Sequence, residues 1–292
     1  MSGPARRQHA PAQGAPPETL SSPVDWSVPW LAPWRGIGER VANRAAAGHG
    51  VAAALNAELA RQPVQLAAGS LVFVPQADLP AGVPYEAHIA ATARVPTRDN
   101  LHDLFNGLAW LHHPRLKRRL NECQAEALRR DGVGASRGPL RDALTLFDEN
   151  GAWVQLPPAL ADAWQRRDWT TLFVHRRADW AAARVTLFGH ALLDKLTAPR
   201  KAITAHAWAL PVDCPPSEAD TWFGRRLDGG LSPHHPLVVL GVPGWWAPNA
   251  DPAFYADPAV FRPPVHARGT ALAGASAKAV RGDPNGRGPA TR

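Results

Sequence analysis

Thirty prolines and 24 glycines punctuate the 292 residues, and that punctuation limits every element this chain can build. Proline removes a backbone donor and clashes with the preceding helical turn, so helices are confined to the spans between prolines. The sequence therefore predicts short elements joined by Pro-rich loops. Enough apolar material remains for a core, since hydrophobic residues make up 45% of the chain. Twelve Trp add large rings, read here as core and groove lining whose indole N–H groups need partners.

Charge narrows the partners. Of the formal net charge of +7, residues 1–20 carry +1 and residues 261–292 carry +5, which leaves +1 for residues 21–260. A nearly neutral body with a basic tail offers weak, salt-sensitive attraction to polyanions, so nucleic acid stays open as a partner without being signalled. Cys123 and Cys214 lie in no zinc-like spacing and form no disulfide framework, which favours a reducing compartment and a cytoplasmic location. No apolar run reaches the length of a membrane span, so no membrane partner is expected.

The fold class expected is α+β: a mainly helical single domain over residues 21–266 with a small antiparallel sheet, between a disordered segment at 1–20 and a disordered basic tail at 267–292. Trp26, Trp30 and Trp34 recur every four residues, but Pro29 and Pro33 turn that stretch into an extended or turn-rich strap. A helix is expected at 39–61, divisible at Gly48 and Gly50, a strand at 70–75 and a second strand within 85–95. Thr97 or Asp99 caps a helix to about His112, and another helix runs over about 114–130. Asn150-Gly151 is a type I′ turn pair, so residues 142–156 are read as a hairpin with Asp148 opposite Trp153. Helices are expected at 158–167, 168–182 and 184–197, a strand at 202–210, and a short helix ending at Leu227.

The stretches RDNLHDLFNGLAWLHHPRLKRRLN, RGPLRDALTLFDENG, LFGHALLDKL and VLGVPGWW together resemble a proteobacterial family of uncharacterised proteins known only as a domain of unknown function. The resemblance covers roughly residues 25–263 and implies one domain and a bacterial origin. It implies no activity, cofactor or catalytic residue.

Candidate site residues therefore come from residue chemistry alone. On the 99–112 helix, His102 and Asn106 lie beside the apolar stripe and His113 near the same line, with Asp99 and Asp103 further round. This is either a polar wall facing a cleft or a solvated helix face. On the 184–197 helix, His190 and Asp194 stand four apart, a spacing that lets a carboxylate orient an imidazole or form a surface pair. Gly189 beside His190 suggests close approach by another backbone. In the hairpin, Asp142 and Asp148 share a face with Leu144 and Leu146. A carboxylate there either pairs with a base, Arg141 or Arg137 being at hand, or bonds a tight turn or an indole. Ser232, His234 and His235 precede the GVPGWW loop without forming a known catalytic motif.

Two classes of function follow. One is a hydrolytic enzyme with a cleft of His102, Asp103, Asp142, Asp148 and His190. A divalent metal is its candidate cofactor, with His102, Asp148, His190 and Asp194 as candidate ligands. The other is a binding module presenting Trp-rich loops and the basic helix residues Arg115, Lys117, Arg118 and Arg119 to a polyanion or a protein. Trimming residues 1–20 and 267–292 together is expected to leave the denaturation midpoint unchanged, because neither segment buries apolar area. A clear loss of stability in that measurement contradicts the domain limits.

Overall fold

Prolines open elements here as often as they close them. Pro114, Pro139 and Pro158 each stand at the start of a helix, where a missing N–H has no intrahelical partner to lose. The computed structural model describes residues 24–132, 138–227, 231 and 233–263. Its helices are α1 (Arg35–Arg44), α2 (Val51–Leu59), α3 (Tyr85–Thr92), α4 (Leu101–His112), α5 (Pro114–Asp131), α6 (Pro139–Asn150), α7 (Pro158–Gln165), α8 (His190–Lys195) and α9 (Ala219–Leu227). Its strands are β1 (Gln65–Leu66), β2 (Gly69–Ser70), β3 (Val72–Pro75), β4 (Arg94–Thr97), β5 (Gly151–Gln155), β6 (Arg184–Leu187), β7 (Thr204–Ala209) and β8 (His235–Val238). The fold is α+β and mainly helical.

The largest sheet has the order β6-β5-β7-β8. Its pairing is mixed, not the purely antiparallel one expected: β5 runs parallel to β7, while β5–β6 and β7–β8 are antiparallel. β3 and β4 form a separate parallel pair, and β1 and β2 a small antiparallel one. α4 is the central helix. It packs on α1, α2, α5 and α8, and every residue from Asp103 to Leu111 is buried. Nine Trp are buried, and Trp222, Trp245 and Trp246 are partly buried against the same core.

Several local expectations are corrected. The 142–156 hairpin does not form, because residues 139–150 are helix α6. Read at 3.6 residues per turn, Leu144, Phe147 and Asp148 make its buried stripe, and Pro139 starts it. Gly151 adopts φ −75° and ψ 145°, extended backbone that no type I′ turn contains. Trp153 accordingly pairs with Thr186 and Trp208 across the sheet, not with Asp148. Residues 85–92 are helical and the second strand begins only at Arg94. The 184–197 helix is a strand, β6, followed by the short α8. Asn100 caps α4, while the Asp99 carboxylate accepts from the Val51 N–H at the start of α2. The Trp26–Trp34 strap contains a 3-10 turn over Pro29–Trp34, with all three indoles buried as expected. The break at Gly48 and Gly50 separates α1 from α2. The terminal segments expected to be disordered, with Arg137 and Ser232, lie outside the described residues.

Gly189 joins β6 to α8 under the C-terminal end of α6. Its N–H and that of Phe188 both donate to the Gly151 carbonyl, at 2.8 and 3.0 Å. A Cβ at Gly189 would collide with the Glu149 carbonyl and the Asn150 amide nitrogen, backbone atoms that cannot swing aside. The close approach inferred from sequence is therefore real, and it sets His190 against the end of α6. Gly189→Ala is expected to cost about 1–3 kcal/mol in a denaturant melt. Gly36→Ala on α1, where nothing lies within 4 Å of the added Cβ, is expected to be neutral or to stabilise by up to ~1 kcal/mol. Equal midpoints for wild type and Gly189→Ala contradict this packing.

Candidate active site

α4, α5, α6 and α8 converge beside the N-terminal end of α3 and bound a cavity of about 490 Å³. His102, Asp103, Asn106, Asp148 and His190 all line it. Four of the five residues expected to be catalytic are thus brought together. The fifth, Asp142, is exposed on the first turn of α6 and does not line the cavity. The helix explains both placements. At about 100° per residue, Asp148 lies about 120° from Asp142 but only about 20° from Arg141. Arg141, Thr145 and Asp148 therefore share the face of α6 that meets the cavity.

Beneath the cavity lies a buried ion pair. Lys117 Nζ donates to Asp148 Oδ1 at 2.6 Å and to Asn106 Oδ1 at 2.9 Å. A lysine only donates, so the Asn106 oxygen faces Lys117 and its Nδ2 donates to the Tyr85 hydroxyl at 3.0 Å. Both charged side chains are almost fully enclosed, at 5% and 10% exposure. Burial opposes ionisation of Asp148, but the charge and hydrogen bond of Lys117, aided by His190 and His102, hold its carboxyl below the usual carboxylate range. Glu86 goes the other way. Burial, with the nearby charge of Asp148, raises it above the ordinary value, although Asn121 donates to its Oε2 at 2.5 Å.

Above the pair the two candidate imidazoles meet, with Nε2 atoms 3.1 Å apart and rings nearly perpendicular at 78°. His190 Nδ1 lies 2.8 Å from the backbone carbonyl of Asp148. A carbonyl only accepts, so Nδ1 carries a proton. Burial pushes His190 down to about 4, further lowered by Lys117 and His102 against the pull of Asp148, so the ring is neutral near pH 7. Its Nε2 is then a lone pair, and His102 must supply the N–H between the rings. Asp194, expected beside His190, approaches the other ring instead, its carboxylate 4.0 Å from His102 Nδ1.

At the rim, Asp103 grips Arg98. Its carboxylate accepts from the Arg98 backbone N–H at 2.6 Å, from Nε at 3.1 Å and from the second terminal nitrogen at 2.9 Å. His113 is not part of the site. It bonds Asp220 at 2.7 Å and sits among the rings of Trp34, Trp153 and Phe188.

Sequence reasoning missed Lys117, Arg98, Tyr85 and Glu86. Lys117 was read as part of an exposed basic face, yet it is 4% exposed and is the charge partner of Asp148, where Arg141 or Arg137 was expected. A signal existed. Lys117, Asn121, Gln124 and Leu128 follow one another at helical spacing beside the apolar stripe of α5, and all are buried. Among the described residues no group of three or more His, Cys, Asp or Glu is arranged to hold a metal ion. None of the described helices is long and apolar enough to cross a membrane.

The model of the family described as "Protein of unknown function (DUF3025)" matches residues 71–265, a span that contains every residue of this cavity. No curated protein and no solved structure matches the chain.

Because His190 is neutral in the fold but free to protonate when unfolded, the unfolded chain binds more protons between about pH 6.5 and 4. Stability from this ring is thus present above pH 6.5 and lost as pH falls toward 4. One such proton corresponds to a slope of up to about 1.4 kcal/mol per pH unit. Denaturant melts across that range are expected to be flatter for His190→Asn than for wild type. Identical slopes would mean that His190 is not a buried neutral ring.

Proposed function

The chain belongs to the family of proteins of unknown function DUF3025, and from the chemistry of its cavity we propose that it is a hydrolytic enzyme using the His102–His190 pair for acid–base catalysis. The observation that carries this reading is the 3.1 Å approach of the two Nε2 atoms, with His190 locked in its Nδ1–H tautomer by the Asp148 carbonyl. A neutral imidazole with its lone pair aimed at a cavity is a general base in waiting. His190 takes a proton from water when His102 swings away, as its 37% side-chain exposure allows. His102 enters as the imidazolium and gives its extra proton to the leaving group, after which His190 releases the proton taken from water and His102 regains one from solvent. Lys117 and Asp148 position this relay by fixing the end of α6, whose carbonyl orients His190. Thr145 lines the cavity, but direct attack by water fits the imidazole pair without a covalent intermediate.

The same convergence of two Nε2 atoms also suits two ligands of a divalent metal, each ring having its Nδ1 turned toward an oxygen acceptor. Water or substrate would have to complete such a site. Elemental analysis of purified protein distinguishes it: stoichiometric metal, lost in His102→Ala, moves the mechanism from acid–base relay to metal-activated water. The binding-module reading has less support. Lys117 is buried, and Arg118 and Arg119 pair with Glu122 at 3.7 and 3.1 Å, which shrinks the basic face.

The test is a hydrolysis screen with ester, amide and phosphoester panels. His190→Asn and His102→Asn are expected to lower kcat roughly 10²–10⁴-fold with the circular-dichroism spectrum retained. With His190 near 4, the acid limb of the wild-type rate profile is expected near pH 4. Turnover that survives in both variants removes the pair from the mechanism, and no turnover on any panel favours the binding module.

A further inference from the structure

Two of the cavity's carboxylates are already answered by cations within the protein. Lys117 neutralises Asp148, and Arg98 neutralises Asp103. Burial also disfavours the charged form of Glu86. Arg141 differs. It lines the cavity, yet its Nε is buried and has no hydrogen-bond partner among the described residues. Water cannot reach a buried Nε freely, so an N–H left this way is costly unless a ligand meets it.

The position of this donor relative to the imidazoles is set by α6. Arg141 and Asp148 stand on one face, seven residues apart, which is roughly 10 Å along the axis. Asp148 is where His190 is held. Glu149, eight residues from Arg141, marks the same far end. The face that α6 turns to the cavity therefore carries a cation at one end, and at the other a carboxylate and the carbonyl that holds His190. Arg98 lines the cavity too, held in orientation by Asp103 while its side chain stays 56% exposed. Guanidinium groups prefer planar oxyanions that accept two parallel hydrogen bonds.

From this we propose that the cavity binds a small molecule carrying a carboxylate or phosphate group, seated on Arg141. The bond to be cleaved lies toward the far end, at His102 and His190. The oxyanion seat concerns the substrate of the hydrolytic site and so rests on that reading. Its own readout is binding, which needs no turnover. One such cation and a cavity of about 490 Å³ suit a metabolite-sized ligand with one anionic end. A second anionic group beside Glu149 would be repelled.

The experiment follows arginine Nε–Hε resonances of the full chain by NMR during separate titrations with inorganic phosphate and with butyrate. A saturable shift of one resonance, absent from the spectrum of Arg141→Gln, is expected with at least one of the two probes. The affinity is expected to fall at least tenfold in Arg141→Gln and by less in Arg141→Lys, which keeps the charge and loses the fork. A response to phosphate alone assigns a phosphate-bearing ligand; a response to butyrate alone assigns a carboxylate-bearing one. The titration reads binding and needs no turnover, so a failed hydrolysis screen leaves this result standing. No saturable shift in the wild type overturns the proposal, a measurement that does not depend on whether Arg141→Gln folds. Equal affinity in a folded Arg141→Gln overturns it as well.

Discussion

The buried contact between Lys117 and Asp148 ties the molecule together where its helices meet. It links α5 to α6 directly and reaches α4 through Asn106. Taking two charges out of water is expensive, and their attraction repays it only with good geometry and satisfied neighbours. Both conditions hold: the pair is 2.6 Å apart, Lys117 has a second acceptor in Asn106, and its Nζ lies 5.4 Å from the Trp110 ring centroid. Removing one partner from such a pair typically costs about 3–5 kcal/mol, whereas apolar replacement of both is often neutral. Stability alone therefore gives little reason to keep it. Its value is positional, because the Asp148 carbonyl orients His190 and the Asp148 charge tempers the burial of that ring.

The two acids nearest this pair are driven apart by the same forces. Asp148 has a cation in contact and stays ionised, while Glu86 is desolvated beside an existing negative charge and is pushed toward its protonated form. Such separation of neighbouring titratable groups is how one cavity can hold an acid and a base side by side. The rim obeys a simpler rule. Asp103 receives three hydrogen bonds from Arg98, so its carboxylate clamps a loop residue.

Local signals were readable where the chain's own neighbours decide the conformation. α4 and α5 show one-sided apolar stripes between proline boundaries, and both stand where that pattern put them. The strands 72–75 and 204–209 and the split at Gly48 and Gly50 were legible for the same reason. Residues 142–150 were not. Leu144, Leu146 and Asp148 satisfy period two, while Leu144, Phe147 and Asp148 satisfy the helical period, and Asn-Gly tipped the reading toward a turn. What overrides it is β5, whose partners lie 29 and more residues away in β6 and β7. Residues 184–187 were lost in the same way, since the sheet edge that recruits them is not local.

By itself the sequence determined the α+β class, the central helices and four residues of the cavity. His102 stood beside an apolar stripe, Asp103 further round the same helix, His190 four residues from Asp194 on the side away from a stripe, and Asp148 among the apolar residues of an expected strand. Only the tertiary structure decided how they are used. It aligned Asp148 with Arg141 by making α6 a helix, turned Asp142 outward, buried Lys117 as a counter-ion and brought His190 to His102 across 88 positions of chain. Hydrogen bonds and ion pairs between distant segments depend on where backbones cross, and that is set by the packing of the whole core, not by the pattern along any one element.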